Sequence, residues 1–130
     1  MTNESIEHQI IIVDDDDFLV NMYATKFGNN GISVQVCRSG EALLEMLRAG
    51  TNAELILLDV VMPGKDGLTV LKEIRQQKLA ENLPIIMLTN EGDEEKIESF
   101  KKMGVAGYIV KAAATPSEVV EEVKRIIQKQ

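Results

Sequence analysis

Four polar segments of the chain could do chemistry, and each comes directly after a short apolar run. They are the acidic run Asp14–Asp17, Asp59, Thr89 and Lys111. Carboxylates from two separate segments would form a hard oxygen site, which suits Mg²⁺ or Mn²⁺ and not a soft metal. A lysine ammonium and a threonine hydroxyl beside them would complete a receptor for a phosphoryl group. One carboxylate could then act as the nucleophile and form an acyl phosphate.

These segments can meet only if the fold brings the ends of the apolar runs together. Several of the five apolar runs are rich in Ile, Val and Leu. The five runs are Ile10–Val13, Ile32–Val36, Leu55–Leu58, Pro84–Leu88 and Ala106–Val110. Unbroken apolarity is typical of strands covered on both faces, as in a parallel sheet. Between the runs, apolar residues recur at helical spacing. The pattern predicts a doubly wound α/β fold with a five-stranded parallel sheet and five helices, in which ligands bind beyond the carboxyl ends of the strands.

Capping residues mark three of the predicted helix starts. Thr115, Pro116 and Glu118 have the pattern of a capping box with proline at the first helical position. Asp66 is expected to cap the third helix, and one of the last two aspartates of the acidic run is expected to cap the first.

The composition indicates one acidic domain. The chain has 130 residues, 45% of them hydrophobic, and its 14 basic and 21 acidic residues leave a net charge of −7. This balance disfavours direct binding to nucleic acid or to an anionic membrane surface, and no apolar run is long enough to span a bilayer. Cys37 is the only cysteine, so we expect a buried small side chain and no disulfide. The sequence predicts a soluble cytoplasmic protein with a polar tail over residues 1–8, which includes His8, and one domain over residues 9–130.

Four motifs together resemble the receiver domain (CheY-like) of two-component response regulators. They are VDDDD at 13–17, LLDVVMPGKDG at 57–67, LTN at 88–90 and YIVK at 108–111. The D-x-x-M-P-x-x-D-G pattern is the most specific of them, and all four occur in the family's order and at its spacing. The resemblance covers about residues 9–129 and implies the flavodoxin-like topology of that family.

The resemblance implies a phosphoacceptor site. Asp59 matches the residue that takes a phosphoryl group from a phosphohistidine of a sensor histidine kinase or a histidine phosphotransfer protein. Asp15 matches a direct Mg²⁺ ligand, Asp14 matches a ligand that acts through a metal-bound water, and the backbone carbonyl of Val61 matches a further protein ligand. The metal set is expected to include Asp59 as well. Lys111 matches the lysine that pairs first with the acceptor and then with the phosphoryl group.

The resemblance also implies a conformational switch. Thr89 matches the hydroxyl that reaches a phosphoryl oxygen, and Tyr108 matches the aromatic residue that changes rotamer as the threonine moves. The output surface is then expected on the fourth helix, the fifth strand and the fifth helix, where a downstream protein target would bind. Such a domain is not an enzyme in the usual sense, since it catalyses only its own phosphorylation and dephosphorylation. We expect a monomer, or a weak dimer after phosphorylation.

Three positions depart from the common pattern of the family. Ala112 follows Lys111 where a proline is common, so we expect either a trans or a strained peptide bond there and a slightly different loop. Asn90 follows Thr89 where a small residue is common, which is expected to narrow access to the acceptor. Val61 is apolar where the side chain faces the attacking water, which would slow loss of the phosphoryl group.

Three other functions are weighed against this one. Asp14 and Asp16 have the D-x-D spacing of a haloacid-dehalogenase-like phosphatase, which is Mg²⁺-dependent and uses an aspartate nucleophile. That family has glycine and threonine next, which this chain lacks, and an acidic pair after a later strand, where this chain has Thr89-Asn90. A flavodoxin-like flavin binder would need a phosphate loop rich in Ser, Thr and Gly instead of four aspartates. A pseudo-receiver that only binds partners would not need the complete set of site residues.

Replacing Val61 with asparagine tests the effect of an apolar side chain beside the acceptor. Val61→Asn should shorten the lifetime of the phosphoryl group on Asp59, because a polar side chain can orient the attacking water. The lifetime is measured as the decay of the phosphorylated mass after the donor is removed. An unchanged lifetime would discard the idea.

Overall fold

The computed structural model describes residues 8–89 and 94–129, and within these ranges five strands alternate with five α-helices. The strands are β1 (His8–Val13), β2 (Ile32–Cys37), β3 (Ile56–Asp59), β4 (Ile85–Thr89) and β5 (Gly107–Val110). The helices are α1 (Asp17–Gly28), α2 (Gly40–Ala49), α3 (Gly67–Gln76), α4 (Glu94–Lys102) and α5 (Pro116–Gln128), and a turn of 3₁₀ helix at Lys111–Ala113 follows β5. None of the described helices is long and apolar enough to cross a lipid bilayer.

The strands form one parallel sheet in the order β2-β1-β3-β4-β5. After β1 the chain continues to β2 on one side, and from β3 onwards it builds towards the other side. The strand order therefore reverses between β1 and β3, which makes the crevice beyond these two strands the switch point of the fold. The predicted doubly wound α/β fold is confirmed.

Two apolar cores cover the two faces of the sheet, and alternate residues of each strand supply them. In β1, Ile11 and Val13 belong to the core beneath α2, α3 and α4, whereas Ile10 and Ile12 belong to the core beneath α1 and α5. All four side chains are completely buried. This arrangement explains the unbroken apolar runs, since a strand between two helical layers has no face for polar side chains.

The first strand begins earlier than the sequence predicts. The expectation that His8 belongs to the N-terminal tail is wrong, because His8 is the first residue of β1 and lies opposite Ile32 of β2. Its Nδ1 atom lies 3.0 Å from Oε1 of Glu54, and its side chain stays partly exposed. A polar residue fits there because the end of a strand reaches solvent, so apolarity marks only the buried part of β1.

The predicted helix caps are confirmed. Asp16 caps α1, and its carboxylate accepts hydrogen bonds from the backbone N–H groups of Phe18 and Leu19. Asp66 caps α3 in the same way. Thr115 begins α5 with a complete capping box and with proline at the first position. Each cap satisfies backbone N–H groups that have no partner inside the helix.

Gly67 lets α3 begin directly against the end of β3. Its N–H donates a 2.8 Å hydrogen bond to the carbonyl of Val60. A Cβ atom at this position would lie 2.4 Å from the carbonyl oxygen of Asp59 and 2.8 Å from Cα of Val60. Both neighbours are backbone atoms, so they cannot yield by a change of rotamer.

Gly67→Ala should therefore lower the free energy of unfolding by about 1–3 kcal/mol, the usual cost of overpacking a rigid site. The matched control is Gly28→Ala at the end of α1, where a Cβ would have no neighbour within 4 Å. We expect Gly28→Ala to be neutral or to stabilise by about 0.5–1 kcal/mol. Urea unfolding of the two variants checks both values, and equal effects at the two positions would contradict the explanation.

Candidate functional site

The polar residues at the carboxyl ends of β1, β3, β4 and β5 meet at one edge of the sheet, the edge that these strand ends form. β1 and β3 are adjacent and parallel, so Asp14 and Asp59 come to the same edge at the switch point. β4 lies beside β3 and β5 beside β4, and Thr89 and Lys111 stand at the ends of these two strands. The convergence predicted from the sequence is thus present.

Three carboxylates at this edge lie close enough to share a cation. Asp14, Asp15 and Asp59 each offer an oxygen atom, and these atoms all lie within 4.8 Å of one another. Asp14 and Asp59 are only 1% and 3% exposed, whereas Asp15 faces solvent. Carboxylate oxygens are the ligands that Mg²⁺ prefers, and one exposed ligand leaves a route of entry for the ion. The donor set fits Mg²⁺.

Lys111 joins the two buried carboxylates. Its Nζ atom lies 2.9 Å from Oδ1 of Asp59 and 3.4 Å from Oδ2 of Asp14. Burial by itself lowers the pKa of Lys111, but the hydrogen bond to Asp59 and the charges of both aspartates outweigh it and raise that pKa. The ammonium therefore stays charged at neutral pH. The contact with Asp14 was not predicted.

The fold opposes the ionisation of Asp59. Burial raises the pKa of Asp59 to about 6, and the charge of Asp14 adds to the rise. The hydrogen bond from Lys111 and a weaker one from the N–H of Val61, at 3.4 Å, act in the opposite direction. A nearby cation would favour the charged form, which is the form that can act as a nucleophile.

Thr89 is buried with its hydroxyl unpaired. The residue is 2% exposed, and Oγ1 has no hydrogen-bond partner among the residues that the structure describes. Buried polar groups are nearly always hydrogen-bonded, so an unpaired hydroxyl at this edge suits a ligand that arrives later.

Val61 and Tyr108, also predicted as site residues, are exposed. The side chain of Val61 is 56% exposed and Tyr108 is 40% exposed, with Nζ of Lys101 lying 5.9 Å from the Tyr108 ring centre. The chain has no cis peptide bond in its described part, so the bond before Ala112 is trans. Asn90, expected to narrow the entrance, lies outside the described residues.

Cys37 is buried, as predicted. Burial raises the pKa of its thiol to about 11, so the thiol stays protonated and unreactive at neutral pH.

Several contacts around the site were not predicted from the sequence. Asp17 forms an ion pair with Arg38 at the end of β2. Tyr23 of α1 is buried close enough to the site for Lys111 to act on its pKa, which burial raises overall. Lys65, in the loop after the acceptor strand, contacts Glu41 and Glu73. Helical spacing could place Tyr23 on the inner face of α1, but no sequence signal links the ion-pair partners, because they meet only through the fold.

A comparison with protein families decides what kind of domain carries this site. The family model described as the response regulator receiver domain matches residues 10–124. The chain belongs to this family. The match includes every candidate site residue and all five strands apart from the first two residues of β1.

Curated relatives and solved structures agree with the family assignment. The transcriptional regulatory protein ResD of Bacillus subtilis is 35% identical over 129 residues, which cover 98% of this receiver domain and 51% of ResD. The alkaline phosphatase synthesis transcriptional regulatory protein PhoP of the same organism is 33% identical over 121 residues, 93% of this chain and 49% of PhoP. The receiver domain thus spans about half the length of the curated relatives it matches.

Among solved structures, the receiver domain of the Francisella response regulator 1452 has 31% identity and a TM-score of 0.82, covering 95% of this chain and 98% of that one. The Vibrio cholerae chemotaxis protein CheY4 has 28% identity and a TM-score of 0.78, covering 91% and 97% of the two chains. Both resemblances extend over nearly the whole of this receiver domain.

The raised pKa of Asp59 predicts a pH-dependent stability for the metal-free protein. The ordinary value is 3.8 and the folded value is about 6, so between these pH values the folded state binds more protons than the unfolded state. The free energy of unfolding should therefore fall as pH rises through this window, by on the order of 2–3 kcal/mol, and level off above it.

Asp59→Asn, which cannot titrate, is the reference for this measurement. Chemical denaturation of both proteins across the window gives the difference between wild type and variant as a function of pH. A difference that stays constant across the window would show that Asp59 titrates alike in the folded and unfolded states.

Proposed function

We propose that this receiver domain is a phosphoacceptor switch in which Asp59 takes a phosphoryl group from a phosphohistidine of a partner protein. The observation that carries the proposal is the position of the Asp59 carboxylate, buried at the switch point and 2.9 Å from the Lys111 ammonium. Two further carboxylates lie beside it. This combination suits a carboxylate that must accept a dianionic group in the presence of a divalent cation.

The metal site of the proposal uses Asp15 directly, Asp14 through a water, Asp59, and the backbone carbonyl of Val61. The proximity of the three carboxylates supports this set. Bound Mg²⁺ would supply positive charge that offsets both the repulsion among the carboxylates and the charge of the phosphoryl oxygens. Mn²⁺ has similar ligand preferences and could replace it.

In the proposed transfer, a carboxylate oxygen of Asp59 attacks the phosphorus atom as the phosphorus–nitrogen bond to the histidine breaks. The leaving nitrogen keeps the electron pair, and the product on this chain is an acyl phosphate. Lys111 can exchange its contact with Asp59 for one with a phosphoryl oxygen, because its ammonium already lies within 3 Å of the acceptor oxygen. The domain thereby promotes its own modification and acts on no separate substrate.

The proposed switch starts from the unpaired hydroxyl of Thr89. A phosphoryl oxygen would give this buried group its missing partner, and the loop that follows β4 would be drawn inwards. Tyr108 on the edge strand β5, now 40% exposed, could then fill the space that Thr89 leaves. Two charge-assisted hydrogen bonds of about 1.5–3 kcal/mol each approach the roughly 5.5 kcal/mol needed to invert a 1:99 population. The output face is proposed on α4, β5 and α5.

The partners follow from the family. The curated relatives are response regulators, so a sensor histidine kinase or a histidine phosphotransfer protein is the proposed donor, and a cytoplasmic location suits that role. The named relatives are transcriptional regulatory proteins of about twice this length. The expectation of no direct contact with nucleic acid therefore stays a prediction, as does that of a monomer or weak dimer.

The role of Asp16 in the structure weakens the phosphatase alternative. A D-x-D nucleophile pair would need both carboxylates in the site, but the carboxylate of Asp16 accepts the N–H groups at the start of α1. Asp14 alone of that pair contacts Lys111. The complete set of site residues at one edge likewise opposes a pseudo-receiver.

Incubation with Mg²⁺ and acetyl phosphate, or with the mimic beryllofluoride, tests the proposed function. The wild type should gain the mass of one phosphoryl group, or show a spectral change with beryllofluoride, and Asp59→Asn should not. The matched control is Asp66→Asn, which makes the same change outside the pocket and keeps a side chain that can cap α3.

Labelling of Asp59→Asn at the wild-type level would mean that the acceptor is a different residue. A wild type that binds neither Mg²⁺ nor the phosphoryl mimic would favour the pseudo-receiver. Continuous release of phosphate from an added ester would favour the phosphatase.

A further inference from the structure

Lys65 links the loop after the acceptor strand to two helices. This loop, residues 60–66, joins Asp59 to α3, and we call it the acceptor loop. Nζ of Lys65 lies 3.0 Å from Oε1 of Glu41 on α2 and 2.8 Å from Oε2 of Glu73 on α3. One ammonium thus joins the loop to the two helices that flank it.

Apolar burial also holds the acceptor loop, at Met62. The side chain of Met62 is only 6% exposed and belongs to the apolar core beneath α2, α3 and α4. Between these two points Pro63 and Gly64 are exposed, and Gly64 has a φ of 78°. The loop is therefore fixed by apolar burial near Val61 and by charge at Lys65, with an exposed turn between.

Lys65 pairs with one partly buried glutamate and one exposed glutamate. Its own side chain is 35% exposed, that of Glu73 is 25% exposed and that of Glu41 is 66% exposed. Hydrogen bonds, first to Glu73 and then to Glu41, raise the pKa of Lys65. Removal of the ammonium would take away the cation that Glu41 and Glu73 share.

We infer that Lys65 is a positioning residue for the metal site. It holds the acceptor loop so that the backbone of Val61, whose N–H lies 3.4 Å from Oδ1 of Asp59, is in place before an ion binds. The inference rests on the proposed function, in which that carbonyl is a metal ligand. Without the tether, part of the binding free energy of Mg²⁺ would be spent on ordering the loop. Once the ion is bound, it holds the loop by itself.

The sign of the effect separates this role from simple electrostatics. Loss of a positive charge near a cation site should strengthen Mg²⁺ binding if only long-range charge matters. Loss of a tether should weaken it. Lys65→Met removes the ammonium and keeps most of the aliphatic stem, so we expect Mg²⁺ affinity, measured by isothermal titration calorimetry, to fall about three- to tenfold.

Three comparisons complete the experiment. Lys65→Arg can contact both glutamates and should restore affinity to near the wild-type value. Lys72→Met makes the same charge change on the exposed face of α3 and reports the long-range effect, so its Mg²⁺ affinity should be unchanged or slightly higher.

With acetyl phosphate, Lys65→Met should need more Mg²⁺ for half-maximal labelling but reach the wild-type rate at saturating Mg²⁺. Thermal unfolding of each metal-free variant shows that it is folded.

The possible outcomes test the role of Lys65 separately from the proposed function. A wild type without Mg²⁺-dependent labelling of Asp59 would remove the proposed function. A wild type that is labelled normally, together with a Lys65→Met variant whose Mg²⁺ affinity is unchanged or higher, would overturn the role of Lys65 alone. A fall of the same size in Lys72→Met would also overturn it, because the effect would then not depend on the tether.

Discussion

The structure depends on the burial of two carboxylates at one end of the sheet with a single ammonium between them. Asp14 and Asp59 are almost completely removed from water, and Lys111 contacts both. Buried charge is costly unless it is paired, and here the negative charge exceeds the positive. Burial is the main cause of the raised pKa of Asp59, and the charge of Asp14 adds to the rise. The protein tolerates an arrangement that costs stability, and a divalent cation bound to the carboxylates would relieve it.

The two cores on the faces of the sheet make this tolerance possible. Apolar side chains of β1, β3 and β4 alternate between the cores and are almost without exposure. Tight packing on both faces prevents the strand ends from separating to relieve the repulsion between carboxylates. Gly67 contributes in the same way, because it lets α3 begin in contact with the backbone of Asp59.

The acidic run shows how one stretch of identical residues is divided among different tasks. Asp14 turns inwards, accepting the N–H of Asp16 on one oxygen and the Lys111 ammonium on the other. Asp15 is exposed to solvent and is the third carboxylate of the cluster. Asp16 caps α1, and Asp17 pairs with Arg38. The change from strand to helix turns each successive side chain in a new direction, so neighbours of the same type do not share an environment.

The sequence by itself determined the fold class, the five strands, the caps of α1, α3 and α5, and the identity of the residues that meet at the sheet edge. These follow from local signals: apolar runs, helical spacing, capping patterns and motifs of fixed length. The strand assignment of His8, the contact of Lys111 with Asp14, the unpaired hydroxyl of Thr89 and the tether at Lys65 were decided only by the tertiary structure. Each of these depends on which distant segment lies opposite, and therefore on strand order, register and burial. A charged or polar residue carries the same local signal whether its partner is water or a side chain nearly a hundred positions away.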